Sequence, residues 1–337
     1  MRSGARARDH GRRRRCALPD PPRTARAAAA DRERRRDPRC AVAACADRCR
    51  PSPLARHRGL GPHGAPGRST VAIQLAAELA RGTRHVALVD ADTHAPSLAL
   101  LLAQGDDSPG IAAACRRAEL GGLDADELAR LATPILLEEG GIDVLGGLNR
   151  PSRWPELSAH RLRTALEVCR GWADDTIVDV AAPLESDEEV SFDLEAPRRN
   201  AATLTALREA DAIVAVASAE PLGIARFLHG HAELRALVGA TPITVVVNRV
   251  RSGPMGIDAR GQIRRTLERF AGIRDVQFLP DDRRAADAAL LHSRPMIDVT
   301  PRAPVVAAMR SLAAALPAGA ASDDPEPAPR RRLFARR

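Results

Sequence analysis

Short apolar runs rich in Val, Ile and Ala alternate with helical patterns along residues 59–316. Strands of a parallel sheet are buried on both faces when helices cover the sheet, so they read as continuous apolar runs. The pattern predicts an α/β fold, a three-layer sandwich with a mainly parallel central sheet. Predicted strands are 85–89, 142–145, 176–180, 212–217, 243–248 and 276–279. Predicted helices are 71–80, 126–131, 158–173, 201–209, 223–237, 261–270, 283–291 and 304–316.

Ligands of such sheets bind at the carboxyl ends of the strands, so the loops there matter most. Residues 61–70 read Gly-Pro-His-Gly-Ala-Pro-Gly-Arg-Ser-Thr and lead into a helix. Small residues let backbone N–H groups close around phosphate, while a cation and a hydroxyl serve the phosphates and Mg²⁺. The loop offers these groups in Gly64, Gly67, Arg68, Ser69 and Thr70. A Gly/Pro turn with a Ser/Thr helix cap explains the same residues, and the loop alone does not decide between the two.

Two predicted strands end in carboxylates. Asp90 and Asp92 follow the strand at 85–89, and Asp179 closes the apolar run at 176–179. Near a phosphate loop, such carboxylates hold Mg²⁺ or orient an attacking water. The alternative is an ordinary Asp-rich turn after each strand.

The order of these motifs carries more information than any one of them. Loop, D-x-D strand and apolar strand ending in Asp179 are followed by Ala219-Glu220-Pro221, by Val-Val-Val-Asn-Arg at 245–249 and by Leu-Pro-Asp-Asp at 279–282. Across residues 59–316 this order resembles the MinD/ParA family of deviant Walker A ATPases, in particular its actinobacterial MinD-like and CpaE-like subgroup.

The resemblance implies a P-loop NTPase fold that binds ATP with Mg²⁺ and hydrolyses it to ADP and phosphate. Carried onto this chain, it implies phosphate contacts from Gly64, Ala65, Gly67, Arg68, Ser69 and Thr70. It implies positions around the base for Asn248, Pro280 and Asp281, and a nucleotide contact from Arg249. It implies Mg²⁺ ligation by Ser69 and Asp179, and catalytic roles for Asp90, Asp92 and Arg68.

The resemblance also implies a nucleotide-dependent homodimer that acts as a switch in cellular positioning, such as division-site, chromosome or appendage placement. A protein partner from the division or partitioning machinery is expected. So is a cytoplasmic location, with peripheral contact to the inner face of the cell membrane or to DNA through the basic ends.

The loop departs from the family pattern K-G-G-x-G-K-[ST]. The chain has no Lys, and the three departing positions are His63, Ala65 and Arg68. Residues 52–60 include Pro53, Gly59 and several charged side chains. They do not read as the buried strand that should precede the loop, so the first strand is expected to be missing or degraded. These departures predict slow ATP hydrolysis. The alternative function is a pseudo-ATPase interaction scaffold that binds nucleotide weakly or not at all. A small-molecule kinase on the same sheet is disfavoured by the D-x-D strand.

Charge is concentrated at the ends of the chain. Residues 1–58 carry a balance of +12, whereas residues 59–319 carry −6. The first 58 residues lack a helical or strand period, which predicts a dispensable Arg/Pro-rich extension. That extension reads as disordered, as a basic arm for DNA or anionic lipid, or as sequence that is not native. A basic tail at 317–337 contains Leu333 and Phe334 among Arg residues and suits either weak membrane contact or a solubilising end.

Overall fold

The computed structural model describes residues 66–105, 110–185 and 198–316, together with the backbone of residues 56–60. The strands are β1 (Arg56–Leu60), β2 (Val86–Ala91), β3 (Thr133–Leu136), β4 (Gly141–Leu145), β5 (Asp175–Val180), β6 (Ile213–Ser218), β7 (Ile243–Val250) and β8 (Val276–Pro280). They form an eight-stranded sheet in the order β3-β4-β2-β5-β1-β6-β7-β8. Neighbouring strands are parallel except for β3, which pairs antiparallel with β4. The predicted α/β class and mainly parallel sheet are confirmed.

The α-helices are α1 (Arg68–Leu79), α2 (Leu98–Leu101), α3 (Gly110–Glu119), α4 (Ala125–Leu131), α5 (Ala159–Trp172), α6 (Ala201–Arg208), α7 (Pro221–Val238), α8 (Ala259–Ala271), α9 (Arg283–His292), α10 (Met296–Val299) and α11 (Pro304–Ala315). None of the predicted segments covers the helix α3, the short helices α2 and α10 or the strand β3. No helix among the described residues has the length and apolar character needed to cross a membrane.

Alternate residues of the strands face two separate apolar layers. Leu88 and Ile177 belong to the layer that packs with α1 and α11, whereas Val89 and Val178 belong to the layer that packs with α3 and α5 to α8. Both faces of the sheet are therefore covered, which is why the strand sequences are apolar throughout.

The expectation of a missing first strand is wrong. Residues Arg56–Leu60 form β1, which pairs in parallel with β5 on one side and β6 on the other. The backbone N–H and C=O groups on the facing edges of β5 and β6 need hydrogen-bond partners. The segment before the loop at residue 61 supplies these partners whatever its side chains are. Tertiary pairing thus outweighs the poor strand composition of this segment. The assignment of residues 56–58 to the extension is corrected accordingly; residues 1–55 and 317–337 lie outside the described part of the chain.

Candidate nucleotide site

Helix α1 begins at the carboxyl edge of the sheet, directly after the predicted phosphate loop. Gly67 precedes the helix with φ +95°, and its carbonyl accepts the first helical bond from Val71 N at 2.9 Å. This left-handed conformation suits glycine, so the residue type follows from the turn. Ser69 and Thr70 lie in the first helical turn, where free N–H groups and the helix dipole favour an anion. Gly64 and Ala65 lie outside the described residues, and their phosphate contacts stay a prediction.

Asp179 lies beside this helix start, at the end of the central strand β5. Its side chain is buried, and neither carboxylate oxygen has a hydrogen-bond partner among the described residues. Burial raises the pKa of Asp179. The Ser69 hydroxyl and the Arg68 guanidinium lie near enough to lower it in part, although neither reaches hydrogen-bonding geometry with the carboxylate. A buried carboxylate without partners requires an explanation, and a bound cation is one.

Asp90 is the residue opposite Asp179 on the neighbouring strand. Its Oδ1 accepts from Asp92 N at 3.1 Å, and its Oδ2 accepts from Ser97 N at 2.9 Å and Leu98 N at 3.0 Å. Burial and the charge of Asp179 raise the pKa of Asp90, and these backbone bonds lower it in part. Three backbone donors hold Asp90 in place, which favours a role in shaping the loop after β2.

Asp92 connects this loop to Arg68. Its Oδ1 accepts from His94 N at 2.7 Å and Ala95 N at 2.8 Å, while its Oδ2 lies 3.9 Å from a guanidinium nitrogen of Arg68. Asp92 is buried, so this weak ion pair holds Arg68 close to the acidic strand ends. The guanidinium therefore lies at the same edge as Ser69 and Asp179.

Three residues that sequence reasoning missed, Ser97, His94 and Asn200, also meet at this edge. The Ser97 hydroxyl donates to Ser69 Oγ at 2.9 Å, and a ring nitrogen of His94 lies 2.9 Å from Asn200 Oδ1. Asn200 Nδ2 donates to the carbonyl of Glu185 at 2.9 Å. These bonds tie the loop after β2 to the segments on either side of residues 186–197. The sequence could have indicated these three residues only if the loops that become neighbours after folding were already known.

A cavity of about 370 Å³ opens next to the loop–helix junction. Its lining includes the three residues predicted to lie around the base, which are Asn248, Pro280 and Asp281. It also includes three of the other predicted nucleotide contacts, Gly67, Thr70 and Arg249. Apolar side chains from α1, α10 and α11, such as Val71, Met296 and Met309, line the cavity as well. Its volume lies within the range of small-molecule sites, and a flat apolar base with polar edges suits such a lining.

Two charged residues at this cavity were also missed. Arg251 Nε lies 3.7 Å from Asp281 Oδ2, and another of its nitrogens lies 3.9 Å from Glu220 Oε1. Arg283 Nε also lies 3.7 Å from Asp281 Oδ2. Asp281 thus lies near two guanidinium groups in the lining of the cavity.

The ranges 66–105, 110–185 and 198–316 contain no group of three or more His, Cys, Asp or Glu side chains arranged to hold a metal. Mg²⁺ in phosphate sites takes only one or two protein ligands, and phosphates and waters supply the rest. The pair Ser69 and Asp179 agrees with that smaller ligand set.

A mainly parallel sheet, a glycine-led helix start and acidic strand ends at one edge together define the P-loop class of nucleotide-binding proteins. Residues 60–295 match the sequence profile of the CobQ/CobB/MinD/ParA nucleotide-binding domain. The chain belongs to this family, as its motif order indicated.

Solved structures agree on the fold. A ParA family ATPase from Chlorobium tepidum is 17% identical with a TM-score of 0.63, over 78% of this chain and 100% of that one. The septum site-determining protein MinD complexed with Mg-ADP, from Pyrococcus horikoshii, is 16% identical with a TM-score of 0.58, over 77% and 94%. A Cyanothece McdA variant in complex with ATP is 14% identical with a TM-score of 0.58, over 79% and 98%. No curated protein matches the chain.

Proposed function

We propose that this protein binds ATP with Mg²⁺ and acts as a nucleotide-dependent dimerising switch in cellular positioning. The observation that carries the proposal is Asp179, a buried carboxylate beside Ser69 and the start of α1 that lacks a hydrogen-bond partner within the described part of the chain. Leaving such a group unpaired is costly, and a hard cation with oxygen ligands removes the cost. Family membership and the Mg-ADP complex of the similar MinD structure support the same ligand.

Each part of the nucleotide has a counterpart in the chain. The start of α1 and Arg68 would bind the phosphates, and Ser69 and Asp179 would hold Mg²⁺. The cavity between Asn248 and the segment at 279–282 would receive the base. Bound Mg²⁺ would offset the negative charge of the phosphates next to Asp179.

Hydrolysis is expected to be slow. The Arg68 guanidinium is planar and rigid, so it pairs well with two phosphate oxygens but adjusts poorly when the phosphate bonds rearrange during hydrolysis. Asp90 is held by three backbone bonds, so Asp92 is better placed than Asp90 to orient a water. The roles of Asp90, Asp92 and Arg68 in catalysis remain predictions.

Binding of fluorescent ATP to the full chain, with Mg²⁺ and with EDTA, tests the proposal. Wild type should bind more tightly with Mg²⁺, and Asp179→Asn should lose that difference. Asp126→Asn is the matched control, because Asp126 is an exposed carboxylate in the first turn of α4. Equal Mg²⁺ dependence in all three proteins would contradict the role of Asp179.

A pseudo-ATPase scaffold is the second candidate function. The ion pair of Arg68 with Asp92 favours it, since the loop cation already has an acidic partner. This candidate predicts no ATP binding, or binding without turnover, when phosphate release is followed over hours. Turnover that disappears in Asp92→Ala would rule it out.

The cellular role is proposed from the family alone. The similar structures include a septum site-determining MinD, a MinC:MinD complex and a putative plasmid partition protein, which supports a positioning role with a protein partner. A cytoplasmic protein with weak peripheral contact to membrane or DNA through its basic ends is part of the proposal. Light scattering with ATP and with ADP tests dimerisation: a mass that doubles only with ATP supports the switch, and an unchanged mass contradicts it.

A further inference from the structure

The side chain of Asn248 connects the cavity to the phosphate loop. Asn248 follows the buried part of β7 and lines the cavity, a position where an amide is expected to contact the base. Its Nδ2 instead donates to the carbonyl oxygen of Pro66 at 3.1 Å, which is the residue just before Gly67. One side chain thus spans from the carboxyl end of β7 to the loop that precedes α1.

The orientation of this amide follows from its two partners. The backbone N–H of Arg249 donates to Asn248 Oδ1 at 2.9 Å, so that atom must be the oxygen. The Pro66 carbonyl is an acceptor only, so the atom facing it must be the nitrogen. Both polar atoms of the side chain are therefore already bonded to backbone.

The backbone that carries this side chain is held by the sheet. Asn248 is paired in register with Ser218 of β6, and its carbonyl accepts from Ala219 N at 2.9 Å. Arg249 then adopts φ +58°, a left-handed conformation that is uncommon outside glycine. Strained backbone of this kind persists where the surrounding structure holds it firmly.

Contact with Gly67 makes the connection tight. A Cβ atom at Gly67 would collide with the amide nitrogen of Asn248, so the amide lies directly against the glycine backbone. Gly67 sets the direction of the first N–H groups of α1, and these are the groups expected to face phosphate.

We propose that Asn248 is a positioning residue for phosphate binding: its amide holds the loop at Pro66 and Gly67 so that the N–H groups at the start of α1 face the phosphates. The inference rests on the proposed nucleotide function and assigns Asn248 to the phosphate half of the site. A base-reading role makes the opposite assignment, so ligands that carry only one half of the nucleotide distinguish the two.

Isothermal titration with tripolyphosphate and with adenosine provides the test, using the full chain. Asn248→Ala and the uncharged Asn248→Val, which both lose the donor without adding a charge that would repel phosphate, should weaken tripolyphosphate binding about three- to tenfold, the effect of one neutral hydrogen bond. Adenosine affinity should change less than about twofold in Asn248→Ala, because both polar atoms of the Asn248 side chain are bonded to backbone and the other lining residues of the cavity are unchanged. Gln262→Ala, an exposed polar residue on α8, is the control and should bind both ligands as wild type does.

Weaker adenosine binding with unchanged tripolyphosphate binding would overturn the inference and make Asn248 a base-contacting residue. An equal loss for both ligands would also overturn it, since a general structural defect acts that way. Failure of the wild-type chain to bind tripolyphosphate and ATP would instead refute the proposed function, and the inference with it. If Asn248→Ala does not fold, as judged by its thermal melt, the uncharged Asn248→Val decides with the same outcomes.

Discussion

Replacing Asp179 by Asn should make the protein more stable while removing its Mg²⁺ response. Asp179 is buried at the end of β5, and across the described ranges its two oxygens have no hydrogen-bond partner. Its charge also raises the pKa of Asp90, which shows that the two carboxylates repel each other. Asparagine has nearly the same shape and removes the charge and the repulsion together.

The magnitude follows from the contacts. A buried polar group that lacks a partner costs about 1–3 kcal/mol, and more when it is charged. Loss of the attraction between Asp179 and Arg68 offsets part of the gain. We expect a net stabilisation of about 1–2 kcal/mol, which raises Tm by roughly 2–8 °C for a domain of this size.

Thermal melts followed by circular dichroism in EDTA, without nucleotide, measure this gain. A second series with Mg²⁺ and ATP should reverse the order, because wild type gains stability from its ligand and the variant does not gain the Mg²⁺-dependent part. Asp126→Asn should melt within about 1 °C of wild type in EDTA, as surface substitutions usually do. A variant that melts below wild type in EDTA would refute the argument that Asp179 is an uncompensated buried charge.

Three further predictions concern Arg68, His85 and the first strand. Arg68→Ala should abolish ATP binding, measured by fluorescence. Arg68→Lys should bind ATP and release phosphate at least as fast as wild type. Normal ATP binding by Arg68→Ala would favour the pseudo-ATPase function. His85 places its two ring nitrogens 2.8 Å from Asp143 Oδ2 and from the Trp172 carbonyl, so both should carry a proton, and the hydrogen bond with Asp143 raises the pKa of His85. A histidine whose pKa is raised in the folded state stabilises the fold at pH values below its unfolded pKa of about 6.5, and this stabilisation is lost as pH rises through its folded pKa. In urea titrations, His85→Gln should therefore lower the free energy of unfolding more at about pH 6 than at about pH 9. An equal loss at both pH values would contradict the charged pair of His85 and Asp143. Deleting residues 1–58 should lower Tm far more than deleting residues 1–50, because only the longer deletion removes three residues of β1 that pair with β5. Equal Tm values for the two shortened proteins would show that this pairing adds little stability.

The fold could be predicted because its information is local. Apolar runs such as 176–180 and 243–248 carry their own strand signal, and the loops between them hold the residues that belong at the carboxyl edge. For the same reason the grouping of Asn248, Arg249, Pro280 and Asp281 around one cavity was foreseeable: once the strands are parallel, their ends must meet.

The failure at β1 has the opposite cause. Residues 56–60 carry no strand signal, since their place depends on the exposed backbone edges of β5 and β6, which come more than a hundred residues later. Strand β3 was missed for a similar reason. It contains Pro134, which weakens a strand signal, and it forms at the edge of the sheet because β4 offers it backbone partners there.

Periodicity and motif order depend only on neighbours along the chain, so the layered α/β architecture, the family and the residue types at the site could all be read from the sequence. What those residues contact could not, because it depends on which loops become neighbours after folding. Within the part of the chain that the structure describes, folding leaves Asp179 without a hydrogen-bond partner, gives Asp90 three backbone donors and turns the amide of Asn248 toward Pro66, which lies 182 positions earlier. Hydrogen-bond satisfaction and burial are properties of groups that meet in space, and they were set only when the sheet brought its strand ends together.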